Sequence, residues 1–265
     1  MPQVETRQRK FSARLNRVLA IGAFLLGWEL LSRSGMVSPL FLPPPSAVAR
    51  TGLQLLLSGN LFDNVWASLC RVLIGFFLAA LLAIPLGIIA GMNAVVFNSV
   101  DPIIELFRPI PVLALLPLAI LWFGIGESSK IFIITYAAFF PIFINTLAGV
   151  KYSDPILLQV ASTLGASRMQ IFYRVVLMSA LPSLAVGIRL GLGFAFLALV
   201  AAELIASTRG LGYLIMDARL TFQTDVSMVG IVSLGILGYA ANAILVRIER
   251  WALSWKQDVQ GAEIV

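Results

Sequence analysis

From Val72 to Met92 the chain carries no charged side chain, and the same holds for Pro109 to Gly126, Ile131 to Val150 and Val226 to Val246. Uninterrupted apolar runs of about 20 residues match the length of helix that crosses a bilayer. They are continuous, where a transmembrane β-barrel needs alternation. Overall, 59% of the residues are hydrophobic and 12% charged, against about 45–50% and about 25% for soluble domains. One globular core cannot hide that excess, so the expected architecture is an all-α polytopic membrane protein.

Six spans are expected. The first runs from Val18 to Leu31, behind the basic flank "VETRQRKFSARLNR". It passes into "WELLSRSGMVS" without the small-x-small cleavage site of a signal peptide. The prolines Pro43 to Pro45 favour an extended entry, and Ser46 opens an amphipathic segment carrying Val48, Leu53, Leu56 and Leu57. The second span is Val72 to Met92, in which Gly87 and Gly91 form a small-xxx-small pair suited to close helix packing. A turn near Asn93–Asp101 leads to a third span distorted at its start by Pro109, Pro111 and Pro117. The fourth is Ile131–Val150, the fifth Ser183–Ile205 and the sixth Val226–Ile248.

Charge sets the orientation. With both ends in the cytoplasm, the inner segments hold Arg7, Arg9, Lys10, Arg14, Arg17, Arg108, Lys151, Arg168, Arg174, Arg247, Arg250 and Lys256. The outer segments hold only Arg33, Arg50, Arg71, Lys130, Arg209 and Arg219, which fits the positive-inside rule. The same rule accounts for the net charge of +6 without nucleic acid as a partner. There is no histidine and a single cysteine, Cys70, so zinc and haem sites are unexpected. A membrane-embedded enzyme is disfavoured as well, since carboxylates do not cluster.

One half-polar stretch, Gln159 to Pro182, falls on the cytoplasmic side. Asp154-Pro155 is a helix start, with a capping carboxylate and a proline at the first position. Ile156, Val160 and Leu164 share a face, and Gly165 can close the helix in the left-handed conformation. Ser167 with Gln170 makes a capping box for a second helix that should end before Pro182. The spacing therefore specifies a short helix, a tight turn and another helix.

This segment resembles the "EAA" loop of type-1 permeases of ATP-binding-cassette importers: E-A-A, three residues, G, nine residues, I-x-L-P. Ala161, Gly165, Val175 and Leu177 fit; Gln159 stands where the glutamate would be and Met178 where the proline would be. The stretches "LPPPSAV", "SLCRVLIGF", "LAILWFGIGESSKIFII", "FPIFINTLAGV", "ALPSLAVGIRLGLGFAFLALVAAELIASTRGLGYLI" and "QTDV" resemble the nitrate/sulfonate/taurine/bicarbonate branch, nearest to alkanesulfonate and taurine permeases. The resemblance implies a type-1 importer transmembrane domain over residues 61–250. Residues 1–60 would supply the basic N-terminus, first span and outer segment, and 251–265 a cytoplasmic tail.

It also implies the machinery. A second permease copy pairs with the first in the bacterial inner membrane, and a cytoplasmic ATPase dimer binds ATP and magnesium. A periplasmic or lipid-anchored binding protein delivers a small anion, here a sulfonate or taurine. Gln159, Ala161, Ser162, Thr163, Leu164, Gly165, Ala166 and Ser167 would form the coupling helix that docks on the ATPase. No cofactor is expected in this chain: "GIGESSK" lacks the Gly-Lys pair of a phosphate-binding loop and reads as a loop between the third and fourth spans.

Two charges interrupt the fifth span. Arg189 and Glu203 are 14 residues apart, about 21 Å along a helix, so they cannot pair within it. Intramembrane charges are costly and often functional. Each either lies on the path of an anionic substrate or hydrogen-bonds to neighbouring helices or the second copy. Gly187, Gly191 and Gly193 beside Arg189 line the pathway or allow close packing, and the one-turn spacing of Gly187 and Gly191 suits packing. Glu29 reads as structural or interfacial. Nitrate, bicarbonate, aromatic acids and pyrimidine precursors remain alternative cargoes, and a stand-alone secondary transporter or channel remains an alternative class.

Overall fold

Helix after helix follows the apolar runs in the computed structural model, which describes residues 19–38 and 40–254. The basic flank before residue 19 and the tail from residue 255 lie outside the described residues. Helix α1 covers 19–33, α2 Pro45–Leu57, α3 Asn60–Met92, α4 Ala94–Phe107, α5 Val112–Phe123 and α6 Glu127–Lys151. Then come α7 at Pro155–Thr163, α8 at Arg168–Ile171, a π-helical turn at Phe172–Val176, α9 at Leu177–Ala206, α10 at Leu211–Leu220 and α11 at Thr224–Ala252. Among the described residues there is no strand.

Among the described residues, four helices are long and apolar enough to cross a membrane: Asn60–Met92, Glu127–Lys151, the continuous stretch Arg168–Ile205, and Thr224–Ala252. The pair α4 and α5, bent by 99° at its break, meets the same length and apolarity only when its two helices are taken together, as a broken span or a re-entrant loop. The described part of the first expected span, 19–33, is shorter than the about 20 residues a crossing needs.

Several expected boundaries move. The second span begins at Asn60, twelve residues before Val72, so Arg71 is inside a helix and not on its flank. The expected turn at Asn93–Asp101 is instead helix α4, because the Asn93 side chain caps it by accepting from Val95 N at 2.9 Å and Val96 N at 3.4 Å. "ESSK" is the first turn of α6, not a loop. Pro182 does not end the helix that starts at Arg168; the chain runs through it to α9, losing one backbone hydrogen bond in a long helix.

The described residues form two compact units. The first takes the described part of Met1–Asp63 with Leu214–Val232. Here Glu29 on α1 accepts from Arg33 Nε at 2.6 Å, from Ser46 Oγ at 2.7 Å and from Ser46 N at 3.1 Å. It thus ties α1 to the start of α2, where Pro45 occupies the first turn. Thr51 Oγ1 on α2 donates to Asp225 Oδ2 at the start of α11 at 2.7 Å. Val48 of the amphipathic segment is buried, while Leu53, Leu56 and Leu57 are exposed.

The second unit, Asn64–Tyr213 with the described part of Ser233–Val265, is organised around α6. Glycines set its spacing: a Cβ at Gly87 or Gly91 of α3 would lie 2.9 Å from Thr146 or 2.7 Å from Val150 of α6. On another face of α6, a Cβ at Gly187 or Gly191 of α9 would lie 2.6 Å from Asn145 or Ile142. In lipid, where burying apolar surface gains little between helices, such close approach supplies the packing energy. Large apolar side chains such as Phe77, Leu81, Leu121 and Leu197 stay exposed, as a bilayer or a partner surface allows and water does not.

Candidate functional site

The α7–α8 hairpin is built as its capping residues dictate. Asp154 Oδ1 accepts from Ile156 N at 2.8 Å, with Pro155 at the first helical position. At the other end Gly165 sits at φ +76°. Its N–H donates to Ser162 O and the Ala166 N–H to Ala161 O, both at 3.1 Å, the pair of bonds that closes a helix on a left-handed glycine. A Cβ at Gly165 would touch nothing within 4 Å, so the backbone conformation alone selects glycine. Ser167 and Gln170 exchange both capping-box bonds, at 2.8 and 3.3 Å.

No residue of α7 is buried. Ile156, Leu157, Val160 and Leu164 are exposed, and a cleft lies between α7 and the start of α9, lined by Leu157, Ala161, Leu164, Arg174, Met178 and Pro182. Gln159 is exposed too; its carbonyl, which accepts from Ser162 Oγ and Thr163 Oγ1, serves the helix itself. A short, capped helix whose apolar face has no cover within the chain offers that face to something else.

A second constellation centres on two buried side chains, Arg71 and Glu203, and opens outward at Glu127, whose side chain is 57% exposed. Arg71 forks onto Glu127 through Nε at 2.5 Å and Nη2 at 2.8 Å, and its Nη1 donates to Glu203 Oε1 at 2.6 Å and to Arg209 O at 2.5 Å. Glu203 also accepts from Ser68 Oγ at 2.8 Å and from Gly212 N at 2.8 Å. Ser68 in turn accepts from Leu211 N at 2.8 Å and Asn64 from Gly210 N at 2.8 Å. Lys130 reaches Glu127 at 3.0 Å, so two cations face two carboxylates.

The N–H groups of Gly210, Leu211 and Gly212 at the start of α10 therefore have side-chain partners, and a carboxylate stands at the helix's positive end. The cluster clamps the loop before α10 to α3. Gly210 has φ +126°, and a Cβ there would lie 2.4 Å from Glu203 Oε1. This explains "TRGLGYL" in physical terms.

Among the expected site residues, Glu203 is thus held by its own chain. Arg189 donates to Glu249 on α11, joining two helices of the same unit. Gly187 and Gly191 pack against α6 of the same chain, and Gly193 faces open space. Arg71, Ser68 and Glu127 were not singled out by the sequence. The signal that finds Arg71 is the "SGN" break at Ser58–Asn60, which starts α3 early enough to carry the arginine inward; its partner lies 132 residues away, beyond any local spacing.

Residues 83–253 match the family described as "Binding-protein-dependent transport system inner membrane component". The taurine transport system permease protein TauC of Escherichia coli (strain K12) is 40% identical, covering 97% of this chain and 98% of its own. The putative aliphatic sulfonates transport permease protein SsuC of Bacillus subtilis (strain 168) is 40% identical over 88% of this chain and 85% of its own. The nitrate import permease protein NrtB of Synechocystis sp. is 33% identical over 87% of this chain and 86% of its own. Among solved structures, a chain of the inward-facing MetNI methionine ABC transporter superposes with a TM-score of 0.64 at 24% identity, over 72% of this chain and 95% of that one. The fold is that of a type-1 importer transmembrane domain, and the chain belongs to the family of binding-protein-dependent transport system inner membrane components.

Proposed function

We propose that this chain is the membrane subunit of an ATP-driven importer that carries a small sulfonate such as taurine. In this reading the α7–α8 hairpin is the coupling element seated on a separate ATPase, and the chain itself hydrolyses nothing. The observation that carries the substrate is the near end-to-end likeness to a taurine permease and the comparable likeness to an aliphatic sulfonate permease. What supports the coupling role is the hairpin's fully capped construction together with its uncovered apolar face.

Residues Gln159 to Ser167 then lie in the cytoplasm, with both chain ends on that side and a second permease copy completing the path. Closure of the ATPase dimer moves the hairpin as a rigid body, and that motion switches the access of the pathway. Gln159 offers no negative charge, so the contact at that position is a neutral one. Arg189 and Glu203 act in this reading by holding helices in place, since each guanidinium or carboxylate already has a partner.

The test is uptake. Co-produced with its ATPase and binding protein in inverted or right-side-out vesicles, the permease should accumulate taurine and ethanesulfonate only with ATP. Gly165→Trp should abolish uptake while the permease still reaches the membrane. ATP-independent accumulation, or unimpaired uptake by that variant, overturns the coupling role.

A further inference from the structure

At the break between α4 and α5 lies Arg108, one of the cations without an acid partner among the described residues. Phe107 would normally give its carbonyl to the N–H of the fourth residue on, but that residue is Pro111, which has none. The orphan is taken up locally by Ile110 N at 3.1 Å and from outside by Tyr136 Oη of α6, which donates at 2.6 Å. Tyr136 thereby fixes the height of the break against α6, and with it the position of the next residue, Arg108.

Tyr136 lies well inside α6, so Arg108, expected on the cytoplasmic flank with Lys151, sits instead beside the middle of that helix. Lys151 at the far end of α6 stacks its ammonium 3.5 Å from the ring of Phe97 near the start of α4. From there α4 climbs along α6 to Tyr136. A cavity of about 290 Å³ opens at this level, lined by Arg108, Tyr136, Phe140, Asn145, Leu190 and Phe194. Pro141, beside it, lies midway along α6, and Leu190 lies midway along α9. The volume holds several waters or one small organic ion.

Arg108 has no carboxylate partner among the described residues, in contrast to Arg33, Arg71 and Arg189. Asn145 uses one N–H on Pro141 O at 2.8 Å, which leaves its second N–H and its carbonyl oxygen. Val112, the first residue of α5, lies on the same wall, and that helix start has no side-chain cap. Arg108 is exposed and stands at the edge of this cavity, where an apolar, low-dielectric wall strengthens the attraction of a guanidinium for an anion. Its planar fork suits two oxygens of one oxyanion.

We propose that this cavity is an anion subsite on the transport path, in which Arg108 holds the oxyanion end of the cargo and Asn145 contributes a further donor. The cargo class is a compact molecule with one singly charged oxyanion group, and the inference rests on the reading of the chain as an importer of small sulfonates only for the choice of sulfonate. The aromatic and aliphatic wall of Phe140, Leu190 and Phe194 would contact the short carbon chain behind the head group.

The experiment uses thiol labelling in the intact permease–ATPase complex. Cys70 is the only cysteine, so a Cys70→Ser background with Leu190→Cys places one thiol on the cavity wall. Its reaction rate is measured with an anionic probe, 2-sulfonatoethyl methanethiosulfonate, and with the matching trimethylammonium probe. The anionic probe should react faster, and ethanesulfonate or taurine, but not choline, should protect. Arg108→Gln should lower the anion-to-cation rate ratio by about fivefold or more, while Arg108→Lys should retain most of it. Co-purification of the ATPase subunit checks that the variants are assembled. An unchanged ratio in Arg108→Gln, or no labelling by either probe, overturns the subsite. Should the ratio behave as expected while the complete importer accumulates no sulfonate, the substrate reading falls and the subsite stands.

Discussion

Arg71 and Arg108 occupy comparable sequence surroundings, each next to a long charge-free run, yet the fold treats them in opposite ways. Arg71 is almost sealed, with 6% of its side chain exposed, and every direction of its guanidinium meets an oxygen of Glu127, Glu203 or Arg209. Arg108 sits at a helix break beside a cavity and meets no carboxylate among the described residues. One arginine is consumed by architecture, and the other is left available. The difference follows from backbone chemistry: α3 carries Arg71 past two elements that can supply acids, whereas the prolines around Arg108 stop the helix where it faces open space.

The comparison breaks first, if it breaks, at Arg71. Arg71→Ala leaves Glu203 buried without its counter-charge, and removing one partner of a buried pair costs about 3–5 kcal/mol. The expected result is loss of most folded permease from detergent extracts, or a large fall in the temperature at which the purified complex unfolds. Wild-type behaviour of this variant would mean that the cluster is dispensable and that the two arginines differ less than their surroundings suggest.

Gly210→Ala probes the same clamp from the loop side. The side chain meets both a left-handed-side backbone conformation at φ +126° and a Cβ position 2.4 Å from Glu203 Oε1. Strain of this kind costs about 1–3 kcal/mol, read as a smaller drop in unfolding temperature than for Arg71→Ala. An unchanged midpoint would show that the loop can rearrange without disturbing the carboxylate, which would sever "TRGLGYL" from the ion cluster.

The sequence made one of these regions legible and hid the other. In the hairpin every determinant is local: Asp154 and Pro155 open α7, Gly165 closes it, and Ser167 with Gln170 opens α8. These act through bonds within four residues of each other, so spacing alone reveals them. The apolar spans were visible for the same reason, being properties of contiguous residues. Their ends were not, where Asn93 and Pro182 carry meanings that depend on context: a cap for α4 in one case and a tolerated interior proline in the other. The ion cluster joins residues of α3, α6 and α9 with the start of α10. Arg71, Glu127 and Glu203 look like flank charges or isolated intramembrane charges until the helices are placed side by side. The cavity at Arg108 depends in addition on a 99° bend, which the prolines announce as a distortion without giving its direction.

The smallest expected effect on stability belongs to Arg108, and it is the sharpest edge of the comparison. Arg108→Gln removes a charge that balances no carboxylate, and a substitution away from packed or paired groups changes stability by about 0.5 kcal/mol or less. Unfolding of the purified complex should therefore be indistinguishable from wild type under conditions where Arg71→Ala has already collapsed. Uptake should respond the other way, with the intact but neutral cavity carrying sulfonate poorly. The two measurements must be made on the same preparation, because a variant that unfolds also fails to transport. Were Arg108→Gln as destabilised as Arg71→Ala, the guanidinium would have to be meeting an acid on a second copy of the chain, and its availability to an anion would be lost. A stable variant that has lost uptake leaves the side chain no structural duty to explain its place at the break.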